Sequence, residues 1–226
     1  MKKGYRKEIK YVITIQDFIK IKSQLESVME YDANSGEEGY SIRTLYFDSV
    51  YDSDLYNNLD GCMEKAKIRL RYYNDNTENL KLEYKCKSGS DGVKYSLSVS
   101  KEESIKIISG NFECLINRDE DISKHLYVRM LRGAYAPKAI VEYKRIAFVL
   151  PISNIRITFD TGIRVASTAF EFFSKYAPVS PIMPTDRGIL EIKYDKFLPS
   201  TLKNIIQVVD RLPVANSKYV QGRRWV

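Results

Sequence analysis

The segment KIRLRYYNDNTENLKLEYKCKSG, Lys67–Gly89, sets Lys67, Arg69 and Arg71 at alternate positions and repeats the pattern with Lys81, Glu83, Lys85 and Lys87. Successive side chains of a β-strand point to opposite faces. The spacing therefore describes neighbouring strands with one apolar face (Ile68, Leu70, Tyr72; Leu82, Tyr84, Cys86) and one ionic face. The same division recurs in Val93, Tyr95 and Leu97 against Lys94, Ser96 and Ser98. It returns in Ile155, Ile157 and Phe159 against Arg156, Thr158 and Asp160, and in Leu190, Ile192 and Tyr194 against Glu191, Lys193 and Asp195. For any single strand, a polar face meeting water is a sufficient account. Taken together, Lys10, Arg69, Arg71, Lys85, Lys87, Lys94 and Arg156 recur with few acids. Like charges directly opposite on paired strands are destabilising, so an anion is expected among them.

Strand patterns are expected at Glu8–Ile15, Tyr40–Asp48, Ala66–Tyr73, Leu80–Lys87, Gly92–Val99, Ala139–Leu150, Asn154–Asp160 and Ile189–Asp195. Helical spacing is expected after the first strand, where Phe18, Ile21, Leu25, Val28 and Met29 form a stripe behind a Thr14/Asp17 capping box. Further helices are expected near Asp52–Asn58, twice within Lys101–Arg132, around Phe170–Tyr176, and at Ser200–Leu212 on Leu202, Ile205, Ile206 and Val209. No repeat or low-complexity linker interrupts the chain. The expectation is one α+β domain over residues 1–226 with a mainly antiparallel sheet. If the sheet closes with its polar faces inward, the basic groups line a cavity and helices cover the apolar exterior.

A net charge of +7 and a pI near 9.1 point to anionic partners. Cys62, Cys86 and Cys114 have neither the number nor the spacing of a disulfide framework or a zinc knuckle, which suggests a reducing, cytoplasmic setting. No stretch reaches the roughly 20 apolar residues of a membrane span, and a soluble protein is expected. Neither GxxxxGK[ST] nor GxGxxG occurs, so phosphates would be held by side chains and not by a backbone cradle. Arg suits them through its planar fork and Lys through a mobile charge. Glu8, Glu83 and Glu191 each lie two residues from a lysine, Lys10, Lys85 and Lys193, on these same faces. Such carboxylates form cross-face ion pairs, or complete the shell of Mg²⁺ or Mn²⁺ together with phosphate oxygens; Glu191 is the favoured ligand. No serine or cysteine has the partners of a covalent nucleophile, and His125, within DISKHLYVRML, reads as a packing or surface residue. Tyr72, Tyr73, Tyr84 and Tyr95 could stack bases, but most fall on apolar faces, which ranks nucleic-acid binding last.

The fragments RKEIKYVI, SIRTLYFDS, LDGCMEKAKIRLRYYN, LKLEYKCK, VEYKRIAFVL, NIRITFDTGIR, ILEIKYDKFLP and SKYV, in this order, resemble the catalytic domain of the vacuolar transporter chaperone (VTC) polyphosphate polymerases, in the CYTH-like triphosphate tunnel metalloenzyme superfamily. The resemblance implies an eight-stranded antiparallel β-barrel that binds a triphosphate with a divalent metal and extends polyphosphate from ATP. By position it implies Arg69, Arg71, Lys85, Arg145 and Arg156 as catalytic residues, and Lys10, Lys94, Tyr143, Lys193, Ser217 and Lys218 as phosphate-binding residues. Glu191 and Glu8 are the implied metal ligands. The superfamily's opening Glu-x-Glu-x-Lys stands here as Arg6-x-Glu8-x-Lys10, and Ala215 replaces a basic residue three positions before the last lysine. A triphosphatase of the same fold and a non-catalytic polyphosphate- or nucleotide-binding module are the alternatives.

Overall fold

The computed structural model describes residues 6–89, 91–166, 172–174, 176–207 and 212–225. The strands are β1 (Lys7–Thr14), β2 (Glu30–Tyr31), β3 (Tyr40–Asp48), β4 (Glu64–Tyr73), β5 (Asn76–Ser88), β6 (Asp91–Val99), β7 (Ala136–Leu150), β8 (Ile155–Ala166), β9 (Ser180–Pro181) and β10 (Arg187–Tyr194). The helices are α1 (Ile15–Leu25), α2 (Ser53–Leu59), α3 (Lys101–Ile108), α4 (Glu113–Ile116), α5 (Asp121–Arg132), α6 (Ser200–Ile206) and α7 (Lys218–Arg223). The eight longer strands are hydrogen-bonded in the order β1-β10-β8-β7-β3-β4-β5-β6, with β2 added on β7 and β9 on β8. This is an α+β fold built on an antiparallel sheet.

Each expected strand is present within a few residues. The expected helical pattern at Phe170–Tyr176 falls partly outside the described residues, as does Val209 of the last stripe. The first helix ends sooner than its stripe suggests, at Leu25; Met29 still reaches the core, while Val28 is exposed. Thr14 forms the expected capping box, its Oγ1 accepting from the Asp17 backbone N–H at 3.1 Å while Asp17 Oδ2 accepts from the Thr14 N–H at 2.9 Å. That box turns the chain out of β1, and Ile15 opens a helix instead of ending the strand.

The chain divides into two compact units, each with its own core. The first comprises residues 1–41, 143–164 and 181–217. There β1 pairs with β10 and β10 with β8, and the apolar faces of these strands meet α1 and α6 through Ile13, Ile21, Leu25, Phe159, Leu190, Ile192, Leu202 and Ile206. Gly39, at φ +72°, lies so close to the backbone carbonyl of Arg145 that a Cβ would collide with it.

The second unit comprises residues 42–142, 165–180 and 218–226. Its strands pair as β3-β4-β5-β6, and Leu45, Ile68, Leu70, Leu82 and Leu97 pack with Ile107, Leu115, Leu126 and Met130 of the helices. The β4–β5 turn is the two-residue Asn74-Asp75, both at positive φ (50° and 56°). Paired positive-φ residues match the right-handed strand twist; the pairing then shifts between Arg71 and Tyr73, and beyond that irregularity the register sets the ionic residues opposite one another.

Candidate functional site

In the second unit the register places Tyr46, Arg69, Glu83 and Ser96 in one row across β3 to β6, and Thr44, Arg71, Lys81 and Ser98 in the next. Glu83 is the internal counter-ion of these rows. Its side chain is 2% exposed, and its Oε2 accepts from Arg69 Nε at 2.6 Å while Arg71 Nη1 lies 3.7 Å away and Lys94 Nζ pairs with Oε1. Burial alone would raise its pKa, but Arg69, Arg71 and Lys94 outweigh it and hold the carboxyl at about 2. Arg71 Nε donates to Thr44 Oγ1 at 3.0 Å, and Arg69 Nη1 reaches the Tyr46 hydroxyl at 3.5 Å. Burial would raise the Tyr46 pKa too, yet Arg69 and Arg71, helped by Lys218, lower it.

Lys218 opens α7, and the next residue anchors that helix. The Tyr219 ring lies against Tyr46, centroids 5.1 Å apart, and its hydroxyl donates to Asp48 Oδ2. Asp48 is completely buried; its carboxylate also accepts the backbone N–H groups of Asp54 at 2.9 Å and Leu55 at 2.8 Å, holding the start of α2. Arg223 Nη2 completes the tether through Asp52 Oδ2 at 2.8 Å.

Lys85 sits directly opposite Lys67 on one side and Lys94 on the other. On this face of β4 to β6 the register positions hold Lys65, Lys67, Arg69, Arg71, Lys81, Lys85, Lys87 and Lys94 against the single acid Glu83. The face carries a large positive excess after its internal counter-ion is counted.

The first unit is organised differently. Lys10 faces Glu191 across β1 and β10, and Glu8 faces Lys193. Lys10 Nζ is 2.8 Å from Glu8 Oε1 and 3.5 Å from Glu191 Oε1, and donates to the Asn216 carbonyl at 3.0 Å. Lys193 Nζ is 3.0 Å from Glu191 Oε2 and 4.0 Å from Glu8 Oε2. Burial works against both ammonium groups. In Lys10 the Glu191 and Glu8 carboxylates prevail and raise the pKa, whereas in Lys193 burial, aided by the nearby Arg145 charge, lowers it. Val214 N–H binds the Lys10 carbonyl at 2.9 Å, so the segment ending at Ser217 is pinned alongside β1.

Arg145 makes a bidentate pair with the fully buried Asp160, at 2.6 and 2.7 Å, lies 3.8 Å from Glu191, and sits over the Tyr143 ring at 5.4 Å. Burial opposes its charge, but Asp160 and then Tyr143 raise its pKa well above the ordinary value. Arg156 Nη2 contacts the Tyr40 hydroxyl at 3.2 Å and Asp32 Oδ2 at 3.1 Å. Lys10, Lys193, Arg145 and Arg156 are thus balanced by Glu8, Glu191, Asp160 and Asp32. Sequence reasoning identified these four bases and two of the acids. It missed Asp32 and Tyr40, and it placed Asp160 on the polar face without seeing its partner.

Among the described residues, no group of three or more His, Cys, Asp or Glu side chains comes together as a metal cage. Glu8 and Glu191 do share the two lysines between them. Two hard carboxylates suit an ion of the Mg²⁺ or Mn²⁺ type, which is commonly held by one or two carboxylates plus substrate phosphates. The donor set fits such an ion arriving with its anion.

The VTC domain family model matches residues 5–226, which takes in both units. No curated protein sequence matches. Among solved structures, a candidate adenylate cyclase from Bacillus halodurans superposes with a TM-score of 0.53 at 12% identity, covering 94% of each chain. A candidate adenylyl cyclase from Hippeastrum, reported to have a dominant triphosphatase activity, superposes with a TM-score of 0.52 at 10% identity, covering 89% of this chain and 84% of that one. At these identities the likeness shows a common fold.

Proposed function

Because the chain belongs to the VTC domain family, we propose that it is a polyphosphate polymerase that transfers the γ-phosphoryl group of ATP to the end of a growing polyphosphate chain. The observation that carries the reading is the surplus of cations around Glu83, where Arg69, Arg71 and Lys94 already share one carboxylate and more lysines face one another. The tunnel belongs to the same proposal: the eight strands close with these polar faces inward around the anion.

Phosphoryl transfer leaves a protein little covalent chemistry to perform; positioning and charge stabilisation supply the rate. In this reading Arg69 and Arg71, fixed by Glu83 and Thr44, present their remaining N–H donors to phosphoryl oxygens, with Lys85, Lys94 and Lys218 as mobile charges. Arg145 and Arg156, each oriented by an acid, act in the same way, and Lys10, Lys193, Tyr143 and Ser217 contact further oxygens. A phosphate terminus is already anionic near neutral pH, so the acceptor needs no strong general base. Glu191 and Glu8 would hold the divalent ion, Mn²⁺ or Mg²⁺, which when bound neutralises charge on the phosphate oxygens. Phosphate oxygens would then take over Lys10 and Lys193 from those carboxylates.

Hydrolysis is the second reading, favoured by the shared fold with the Hippeastrum protein. Against it, Arg6 occupies the place of a further carboxylate and is committed elsewhere, donating to the Asn154 carbonyl at 3.2 Å and lying 3.8 Å from Asp195. Incubation with ATP and Mn²⁺, followed by gel analysis of polymer and assay of free phosphate, separates the two. Polymer is expected; free phosphate without polymer assigns a triphosphatase, and neither product, with tripolyphosphate still bound, assigns a binding module. Arg69→Ala and Arg71→Ala are each expected to lower turnover by at least about a hundredfold, the scale of one lost charge-stabilising donor.

A further inference from the structure

Ile157 and Phe159 enter the apolar core of the first unit, so the alternation along β8 turns Thr158 to the opposite face, with Arg156 and Asp160. There it stands directly across from Glu191, which in turn faces Lys10 on β1. Thr158 is 3% exposed, and its Oγ1 has no hydrogen-bond partner among the described residues. The other buried serines and threonines among those residues all have one. Ser35, Ser104 and Ser123 donate to the carbonyls of Gly36, Ser100 and Leu115 at 3.1, 2.7 and 2.7 Å. Ser49 Oγ lies 2.6 Å from Ser53 Oγ, and Thr44 Oγ1 accepts from Arg71. A buried hydroxyl left unsatisfied destabilises a fold. Kept at that cost in a row with Glu191 and Lys10, it points to a partner from outside the chain.

We infer that the Thr158 hydroxyl is a third protein ligand of the divalent ion, beside Glu191 and Glu8. The inference rests on the proposed assignment of those two carboxylates and names the residue that extends their oxygen set onto β8. Glu8, Glu191 and Thr158 lie on β1, β10 and β8, which are hydrogen-bonded side by side. Directly paired residues on such strands have Cα atoms about 5 Å apart, so Thr158 and Glu191 are close enough to serve one ion. Donors for phosphate oxygens are already plentiful on this face in Lys10, Lys193, Arg145 and Arg156. Oxygen ligands for a hard cation that prefers an octahedral shell are fewer, and Asp160 is committed to Arg145. A Ser or Thr hydroxyl is a well-known ligand of Mg²⁺ in phosphoryl transfer. Being neutral, it adds a ligand without adding negative charge that would repel the phosphates.

The test measures affinity for sodium tripolyphosphate by calorimetry, once with excess Mn²⁺ and once in EDTA, using the full chain and its Thr158→Val, Thr158→Ser, Thr158→Cys and Glu191→Gln variants. The gain in affinity that Mn²⁺ brings reports the metal site, and the affinity in EDTA reports the anion contacts alone. Thr158→Val is expected to cut the gain by about tenfold or more, the lower end for even an outer-shell partner of a metal, with the EDTA value unchanged. Thr158→Ser should restore most of it. Thr158→Cys, with a softer donor, should raise the gain from Cd²⁺ relative to that from Mn²⁺. Ligand-free, Thr158→Val should melt no lower than the parent, because it keeps the shape and removes an unsatisfied group. An undiminished gain in Thr158→Val, as for a hydroxyl that holds only a buried water, overturns the inference. Equal loss with Mn²⁺ and in EDTA overturns it in favour of a direct phosphate contact, and a clearly lower melting temperature in favour of a partner within the fold. No Mn²⁺ gain in the parent, or a full gain in Glu191→Gln, defeats the carboxylate assignment itself; if Glu191→Gln alone loses the gain, that assignment stands without Thr158.

Discussion

Replacing Glu83 by Gln removes the one carboxylate that Arg69, Arg71 and Lys94 share, and leaves its volume in place. The cost follows from the carboxyl's pKa of about 2 against an ordinary 4.5. At about 1.4 kcal/mol per pKa unit, that difference corresponds to about 3 kcal/mol of stabilisation. The side chain is 2% exposed, so solvent screening removes little from the figure. It also matches the ~3 kcal/mol lower end of the range for breaking a buried ion pair, as expected when Lys94 is itself half-exposed. Because the folded-state pKa is depressed, the stabilisation is present above about pH 4.5 and is lost as the pH falls through about 2. In urea unfolding at pH 7 the Gln variant should be about 3 kcal/mol less stable than the parent. Between pH 5 and pH 2 the parent should lose stability more steeply, so that the two converge. Tripolyphosphate should stabilise the variant more than the parent, since the anion then supplies the missing charge. A variant within about 1 kcal/mol of the parent at pH 7, with the same acid limb, would refute the reasoning, because Glu83 would then not be the counter-ion of the cluster.

Asp160→Asn leaves the Arg145 guanidinium buried without its bidentate partner and should cost about 3 kcal/mol in chemical denaturation; equal midpoints and slopes would show that Arg145 has another counter-ion of equal worth. Tyr219→Phe deletes the hydroxyl donated to Asp48 and should loosen α7 by about 2 kcal/mol, the scale of a hydrogen bond to a charged group, seen as faster amide exchange in residues 218–223. Burial and Asp48 raise the Tyr219 pKa, so this contribution is complete below about pH 10 and fades only as the pH climbs beyond it; the Phe variant should lack that alkaline dependence.

The strands were legible because apolar and polar side chains alternate along most of them, and a period of two survives in a single sequence even where both faces are buried. β2 and β9, at two residues each, are too short to show a period. The region Lys101–Arg132 reads as two helices but holds three, because the four-residue α4 is less than two turns long. The charges of the site were visible, whereas their partners were not. Glu8 with Lys10 and Glu191 with Lys193 pair as strand spacing suggests. For Glu83, the spacing points to Lys85, but Arg69, Arg71 and Lys94 reach it from β4 and β6, and that depends on a register no local pattern encodes. Asp48 reads as the last residue of a strand; its partners at the start of α2 are near in sequence, but Tyr219 is 171 residues away.

That separation has a consequence for biosynthesis. The row that holds Tyr46 and Arg69 is made early, but the ring that braces it and the lysine beside it are translated near residue 219. A ribosome that has not yet reached residue 219 therefore carries an Asp48 carboxylate that still waits for its phenol, and the order of synthesis itself makes the bracing of Tyr46 a late event in folding.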